Sequence, residues 1–131
     1  MVKVVEVSTP DAPSAIGPYS QAVAVSNSSL LFISGQIPLD PASGKLVDGD
    51  IKVQTEQVLV NVEGILKSQG LTTADVVKTT CLLMDIADFG AMNEVYAEHF
   101  KEKPFPARAA FSVKNLPKGA LIEIEAVAVI K

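Results

Sequence analysis

The chain has 131 residues, of which 48% are apolar and 20% charged, with a formal net charge of −4. That length fits one domain with a sizeable core, and the acidic balance, with no Lys/Arg cluster, argues against a broad nucleic-acid surface. No apolar run is long enough to span a membrane, the N-terminus "MVKVVEVSTP" lacks signal or transit character, and the single cysteine, Cys81, excludes an internal disulfide framework, so a cytoplasmic protein is expected.

"KVVEVS" (Lys3–Ser8) alternates as a first strand, stopped by Pro10 and Pro13. "YSQAVAVS" (Tyr19–Ser26) and "LLFISGQI" (Leu30–Ile37) predict a hairpin around "NSS". The turn residues of Pro38–Asp50 predict a loop. Ile51, Val58, Val62, Ile65 and Leu66 then recur at helical spacing, with Asp50 as the start cap and Gly70 as the stop. Val76–Ile86 is apolar on both faces and predicts an interior strand. Asp88 opens a second helix whose buried stripe is Phe89, Met92, Tyr96 and Phe100. The last strands are Ala107–Val113 and Ala120–Ile130, joined by "KNLPKG". This order predicts a single α+β domain over residues 1–131: one mixed sheet with two helices on one face. The opposite face, with Val23, Val25 and several alanines, is left apolar, which predicts association with copies of the same chain.

Arg108 stands out inside "KPFPARAAFS", where a strand begins among Ala and Phe. Residues two apart in a strand share a face, so Arg108, Ala110 and Ser112 point one way. A hairpin centred on Leu116–Pro117 would pair Ala110 with Glu123 and Arg108 with Glu125, and would put the cation and both carboxylates on one face around a small gap. Guanidinium is shaped to grip a carboxylate through two parallel hydrogen bonds. The competing reading is that Arg108 only pairs with Glu125 across the strands. His99 is the only histidine and Cys81 the only cysteine, so no metal site is expected. Cys81 reads as buried and inert. "SGQIP" and "SGK" lack the spacing of a phosphate-binding loop.

"PARAAFSVKNLPKGALIEIEAVAV" resembles the carboxy-terminal signature of the RidA/YjgF family of imine deaminases. "IGPYSQAV", "FISGQIP" and "VVKTTCLLMDIADFGAMNEVY" resemble that family's other blocks, in the same order. The resemblance runs from about Ala12 to the C-terminus. It implies a fold like bacillus-type chorismate mutase, and a homotrimer whose sheets form a central barrel with three clefts between subunits. The implied activity is hydrolysis of 2-imino acids such as 2-iminobutanoate and 2-iminopropanoate to 2-oxo acids and ammonia, without metal or organic cofactor.

By position, the resemblance makes Arg108 the carboxylate-binding residue, Glu123 the residue that positions water, and Tyr19 a hydrogen-bonding group near the reacting centre. Ser34, Gly35, Asn93 and Ala110 match other positions of the family's cleft. Many members carry Cys where this chain has Ala110, and Cys81, on another strand, does not replace it. Each residue also has a plainer reading. Tyr19 could start a strand, Ser34 and Gly35 could form a bulge, Asn93 could cap a loop, and Glu125 could serve as an ion-pair partner. An imine carbon is already electrophilic, so orientation of substrate and water with help in moving protons is enough for catalysis. The alternatives are a small-carboxylate binding module without turnover, and the RNA cleavage and translation inhibition also linked to the family. The acidic charge and the lack of paired histidines weigh against the last.

Overall fold

Six strands and two helices follow one another in a computed structural model that describes residues 1–131. They are β1 (Lys3–Val7), β2 (Ala22–Ser26), β3 (Ser29–Gln36), α1 (Ile51–Ser68), β4 (Val76–Leu83), α2 (Phe89–His99), β5 (Ala107–Ser112) and β6 (Ile122–Ile130). α1 forms where its cap and stripe require it. The Asp50 carboxylate accepts from the Val53 amide at 3.0 Å, and Ile51, Thr55, Val58, Leu59, Val62 and Leu66 make one buried face. At its far end Gly70 takes a positive φ of 70°. Its amide bonds to the Lys67 carbonyl, while that of Leu71 bonds to Leu66, which closes the last turn. α2 differs in detail from its expected start. Asp88 makes no capping bond, and Asp85 instead caps the short 3-10 turn that leads into the helix.

The main sheet has the strand order β3-β6-β4-β5. β4 and β5 run parallel, and β6 is antiparallel to both β4 and β3. This overturns the expected β5–β6 hairpin. The β4–α2–β5 crossover returns β5 parallel to β4 and occupies one edge of β4. β6 therefore enters on the other edge, between β4 and β3. Its Ile122, Ile124, Ala126 and Ala128 are buried beneath the helices, in one core with Val58, Leu59 and Val62 of α1 and Met92 and Tyr96 of α2. Each such Val, Leu or Ile contributes on the order of 1.5–3 kcal/mol.

β2 and β3 do not form the expected hairpin either, so the expected single sheet is two. β2 pairs with β1 in a separate two-stranded sheet, while β3 pairs with β6. Between them Asn27 has a positive φ of 55° and Ser28 does not, so these two residues do not make the doubly left-handed turn that suits two-residue hairpins. Val23 and Val25 accordingly sit opposite Glu6 and Val4, away from the main sheet. The uncovered face of the main sheet instead exposes Phe32 (74% exposed) and Phe111, among Lys78, Thr80, Glu123 and Glu125. No helix is long and apolar enough to cross a membrane.

Candidate active site

Arg108 stands beside Thr79 in the ladder and, one strand further on, Ala126. Side chains directly opposite across strands share a face, so Arg108 lies on the helix-covered side. β5 is an edge strand, and the guanidinium emerges at the rim under α2. Its central carbon lies 4.7 Å from the ring centre of Tyr96, 5.5 Å from Phe89 and 5.6 Å from Tyr19, all within cation–π range. Its Nη1 donates to Asn93 Oδ1 at 2.6 Å. No carboxylate forms an ion pair with it.

Each wall of this socket has a local cause. Phe89, Asn93 and Tyr96 are spaced i, i+4, i+7 on α2 and share one helical face. Tyr96 is fully buried. Its ring stacks on Phe100 with centres 4.4 Å apart, and its hydroxyl shares a 2.8 Å hydrogen bond with Thr79 Oγ1. Burial pushes the Tyr96 hydroxyl far up from its usual range, so it stays protonated. Tyr19 arrives because the chain before β2 runs along the edge of β5. The Ser20 amide donates to the Pro106 carbonyl at 3.1 Å, and the Ser20 hydroxyl donates to the Phe105 carbonyl. The Tyr19 hydroxyl accepts from the Ile16 amide at 3.3 Å. Ala110, two residues along β5, faces the same way and stands beside Cys81. Burial pushes the Cys81 thiol up to about 11 against the opposing pull of Arg108, so this sulfur is neutral at pH 7.

A second group lies elsewhere. Between Ile33, paired with Ala126, and Gln36, paired with Ile124, β3 bulges at Ser34 and Gly35. The Glu123 side chain folds across Gly35 so closely that a β-carbon there would come within 2.8 Å of the carboxyl carbon. Ser34 borders a cavity of about 240 Å³ on the uncovered face, with Phe32, Lys78, Thr80 and Glu125.

The expected single face is therefore corrected. Glu123 is opposite Leu82, and Glu125 opposite Thr80, both on the reverse of the sheet from Arg108. The pairings of Ala110 with Glu123 and of Arg108 with Glu125 do not form, because β4 intervenes. The reading of Arg108 as a cross-strand partner of Glu125 falls with them. The chain brings Tyr19, Asn93, Arg108 and Ala110 together at one edge and Ser34, Gly35 and Glu123 near the other. The two edges are three strand spacings apart, about 14 Å.

Phe89, Tyr96 and Thr79 were not among the expected site residues. Phe89 and Tyr96 fit the apolar stripe of α2 and read as core; the signal was a polar Asn93 on the same helical face. No cluster of three or more His, Cys, Asp or Glu side chains is arranged to hold a metal ion. His99, at the end of α2, spends one ring nitrogen on Glu56 at 2.6 Å and the other on Glu63.

Residues 9–130 match the family model described as endoribonuclease L-PSP. The chain is similar to the 2-iminobutanoate/2-iminopropanoate deaminase of Homo sapiens, with 54% identity over 94% of this chain and 88% of that one. Among solved structures it is similar to the YjgF gene product of E. coli, at 41% identity and a TM-score of 0.74 over 97% of this chain and 99% of that one. It is also similar to E. coli TdcF with bound serine, at 40% identity and a TM-score of 0.73, over 97% and 99% of the two chains. The chain belongs to the RidA/YjgF family.

Proposed function

We propose that this protein hydrolyses short 2-imino acids, 2-iminobutanoate and 2-iminopropanoate among them, to 2-oxo acids and ammonia. One observation carries the reading. Arg108 is a half-buried cation held by three rings and one amide oxygen, and it lacks only an anion. Nη2 and Nε remain for a substrate carboxylate, in the paired geometry guanidinium favours. The likeness to a deaminase named for two such imino acids, and to a structure holding an amino acid, supports the same choice.

Glu123 is the group that positions water, and it acts on substrate held by Arg108 of another copy. Within one chain the two side chains leave opposite faces of the sheet, so neither reaches a substrate held by the other. The exposed Phe32 and Phe111 give the uncovered face a reason to associate, and a homotrimer with clefts between subunits meets both needs. In the reaction, water oxygen adds to the carbon of the imine, protonated on nitrogen, while Glu123 takes the proton that water loses. The resulting neutral carbinolamine receives that proton on nitrogen, its C–N bond breaks with the electron pair going to nitrogen to release ammonia, and the hydroxyl proton passes to the freed Glu123 carboxylate and on to the ammonia as the carbonyl forms. Tyr19 lies beside Arg108, where its hydroxyl can hydrogen-bond the reacting nitrogen. Asn93 holds the guanidinium. The Gly35 backbone borders the carboxylate, Ser34 flanks it in the bulge, and Ala110 leaves the space that the substrate fills. No nucleophilic side chain or cofactor is needed for this sequence of steps.

The test couples an amino-acid oxidase or a threonine dehydratase to the protein, with semicarbazide competing for the imine. Arg108→Ala is expected to lose nearly all activity; wild-type hydrolysis by that variant would contradict the proposal. RNA cleavage has less support. The single histidine is engaged by Glu56 and Glu63, so no histidine pair is available for acid–base work on a phosphodiester.

A further inference from the structure

Residues 9–16 form a loop that leads from β1 toward Tyr19, and packing does little to hold it. Residues 10–16 are all exposed, and Ile16 is 93% exposed. Every hydrogen bond that ties this loop to the rest of the chain ends on one of two side chains, Gln21 or Tyr19. Gln21 Oε1 accepts from the Thr9 amide at 2.7 Å. Its Nε2 faces three carbonyls and donates to Pro13 at 2.7 Å, Thr9 at 3.1 Å and Ala12 at 3.2 Å. The loop is thereby folded back onto the start of β2. At its other end the Ile16 amide donates to the Tyr19 hydroxyl at 3.3 Å, and the Tyr19 amide donates to the Gly17 carbonyl at 2.8 Å. Gly17 lies against the site: a β-carbon there would be 3.7 Å from Asn93 Nδ2 and from the Tyr19 ring.

We propose that Gln21 is a positioning residue for the Tyr19 hydroxyl, acting through the loop that carries Ile16. The inference rests on the reading of Tyr19 as the group that hydrogen-bonds the reacting nitrogen. Ser20 already fixes Tyr19 from the other side, its amide and hydroxyl bound to the Pro106 and Phe105 carbonyls just before β5. That anchor sets the backbone but not the phenol oxygen, which lies at the far end of the side chain. The Ile16 N–H is the one protein group bonded to that oxygen. It takes one lone pair and leaves the O–H hydrogen and the other lone pair for substrate. Ile16 keeps this place only while the loop keeps its path, and Gln21 makes four of the five hydrogen bonds that set that path. Ser14 and Ala15 alone separate the clasped Pro13 from Ile16, so a shift at the clasp reaches the hydroxyl.

The experiment measures kcat and KM on 2-iminopropanoate, generated in place by an amino-acid oxidase, for wild type, Gln21→Leu, Tyr19→Phe and the double variant. Gln21→Leu removes all four bonds of the clasp, and the freed Ala12 and Pro13 carbonyls are exposed to water, so the variant keeps its fold. It is expected to lower kcat about tenfold or more, within the roughly hundredfold that a 1 Å misplacement can cost, and to leave KM within about threefold. In the Tyr19→Phe background the same substitution is expected to change kcat less than about twofold, because the hydroxyl it positions is gone. Gln21→Glu keeps the acceptor for Thr9 but sets a carboxylate against three carbonyls, and is expected to lose at least as much. Wild-type kcat in either Gln21 variant, or equal losses with and without the Tyr19 hydroxyl, would overturn the proposal; equal losses would make Gln21 a general support of the loop. Tyr19→Phe at wild-type kcat would overturn the role of Tyr19 and this inference with it. A wild-type protein inactive on the imine would refute the deaminase reading itself, a different result from an active enzyme indifferent to Gln21.

Discussion

Glu123 lies across Gly35 at a distance that excludes any β-carbon there, since one would fall within 2.8 Å of the carboxyl carbon. The bulge at Ser34–Gly35 and the bare backbone it presents thus set where this carboxylate rests. Gly35→Ala is expected to push the carboxylate aside without unfolding the chain, because the atoms that must move belong to a flexible side chain. A displacement near 1 Å at a reacting group lowers the rate by about a hundredfold. Steady-state kinetics beside a thermal melt checks this; a Gly35→Ala enzyme with wild-type kcat would separate Glu123 from the chemistry.

Arg108 depends on Tyr96 for its position. The ring of Tyr96 is the nearest of the three around the guanidinium, and Thr79, beside Arg108 in the ladder, holds the Tyr96 hydroxyl. Tyr96→Leu removes the ring and is expected to raise KM roughly tenfold, in line with about 1–2 kcal/mol for a desolvated cation–π contact. Tyr96→Phe keeps the ring but strands the Thr79 hydroxyl. It should cost about 1–3 kcal/mol of stability and leave KM near wild type. Equal KM values in the two variants would remove the positioning role.

His99 ties the end of α2 to α1. Burial opposes its charge, but the hydrogen bonds to Glu56 and Glu63 outweigh burial and raise its pKa above the usual histidine value. A raised folded-state pKa means the stabilisation is complete below about pH 6.5, the unfolded value, and is lost as pH rises through the folded one. His99→Gln is therefore expected to lower the melting temperature by several degrees near pH 6, with the deficit shrinking toward pH 9. A deficit independent of pH would assign His99 a packing role only.

The helices were legible because their signals are local. Asp50 and Gly70 bound α1 as expected, and of the expected stripe Met92, Tyr96 and Phe100 are buried while Phe89 is only half-buried. Strand order was not, because it is set by long-range choices. β5 and β6 are neighbours in sequence and read as a hairpin, yet the crossover through α2 commits β5 to β4 and moves β6 to the other side. Carried through β4, the register aligns Arg108 with Ala126 in place of the expected Glu125, and that one-residue difference puts Glu123 on the opposite face from Arg108. Arg108 has no acidic partner within the chain, which removes the plainer reading of it as one half of an ion pair. Phe89 and Tyr96 were hidden because a ring at core spacing looks the same whether it faces only its neighbours or also a guanidinium.

The most direct test of a shared site uses two inactive chains together. Arg108→Ala and Glu123→Ala are co-expressed at equal levels with different tags, so that the oligomers expected of this chain would be mixed. If each site takes Arg108 from one copy and Glu123 from another, about a quarter of the sites combine two intact halves, and activity returns to about that fraction of wild type. Mixed oligomers as inactive as either parent would contradict the account.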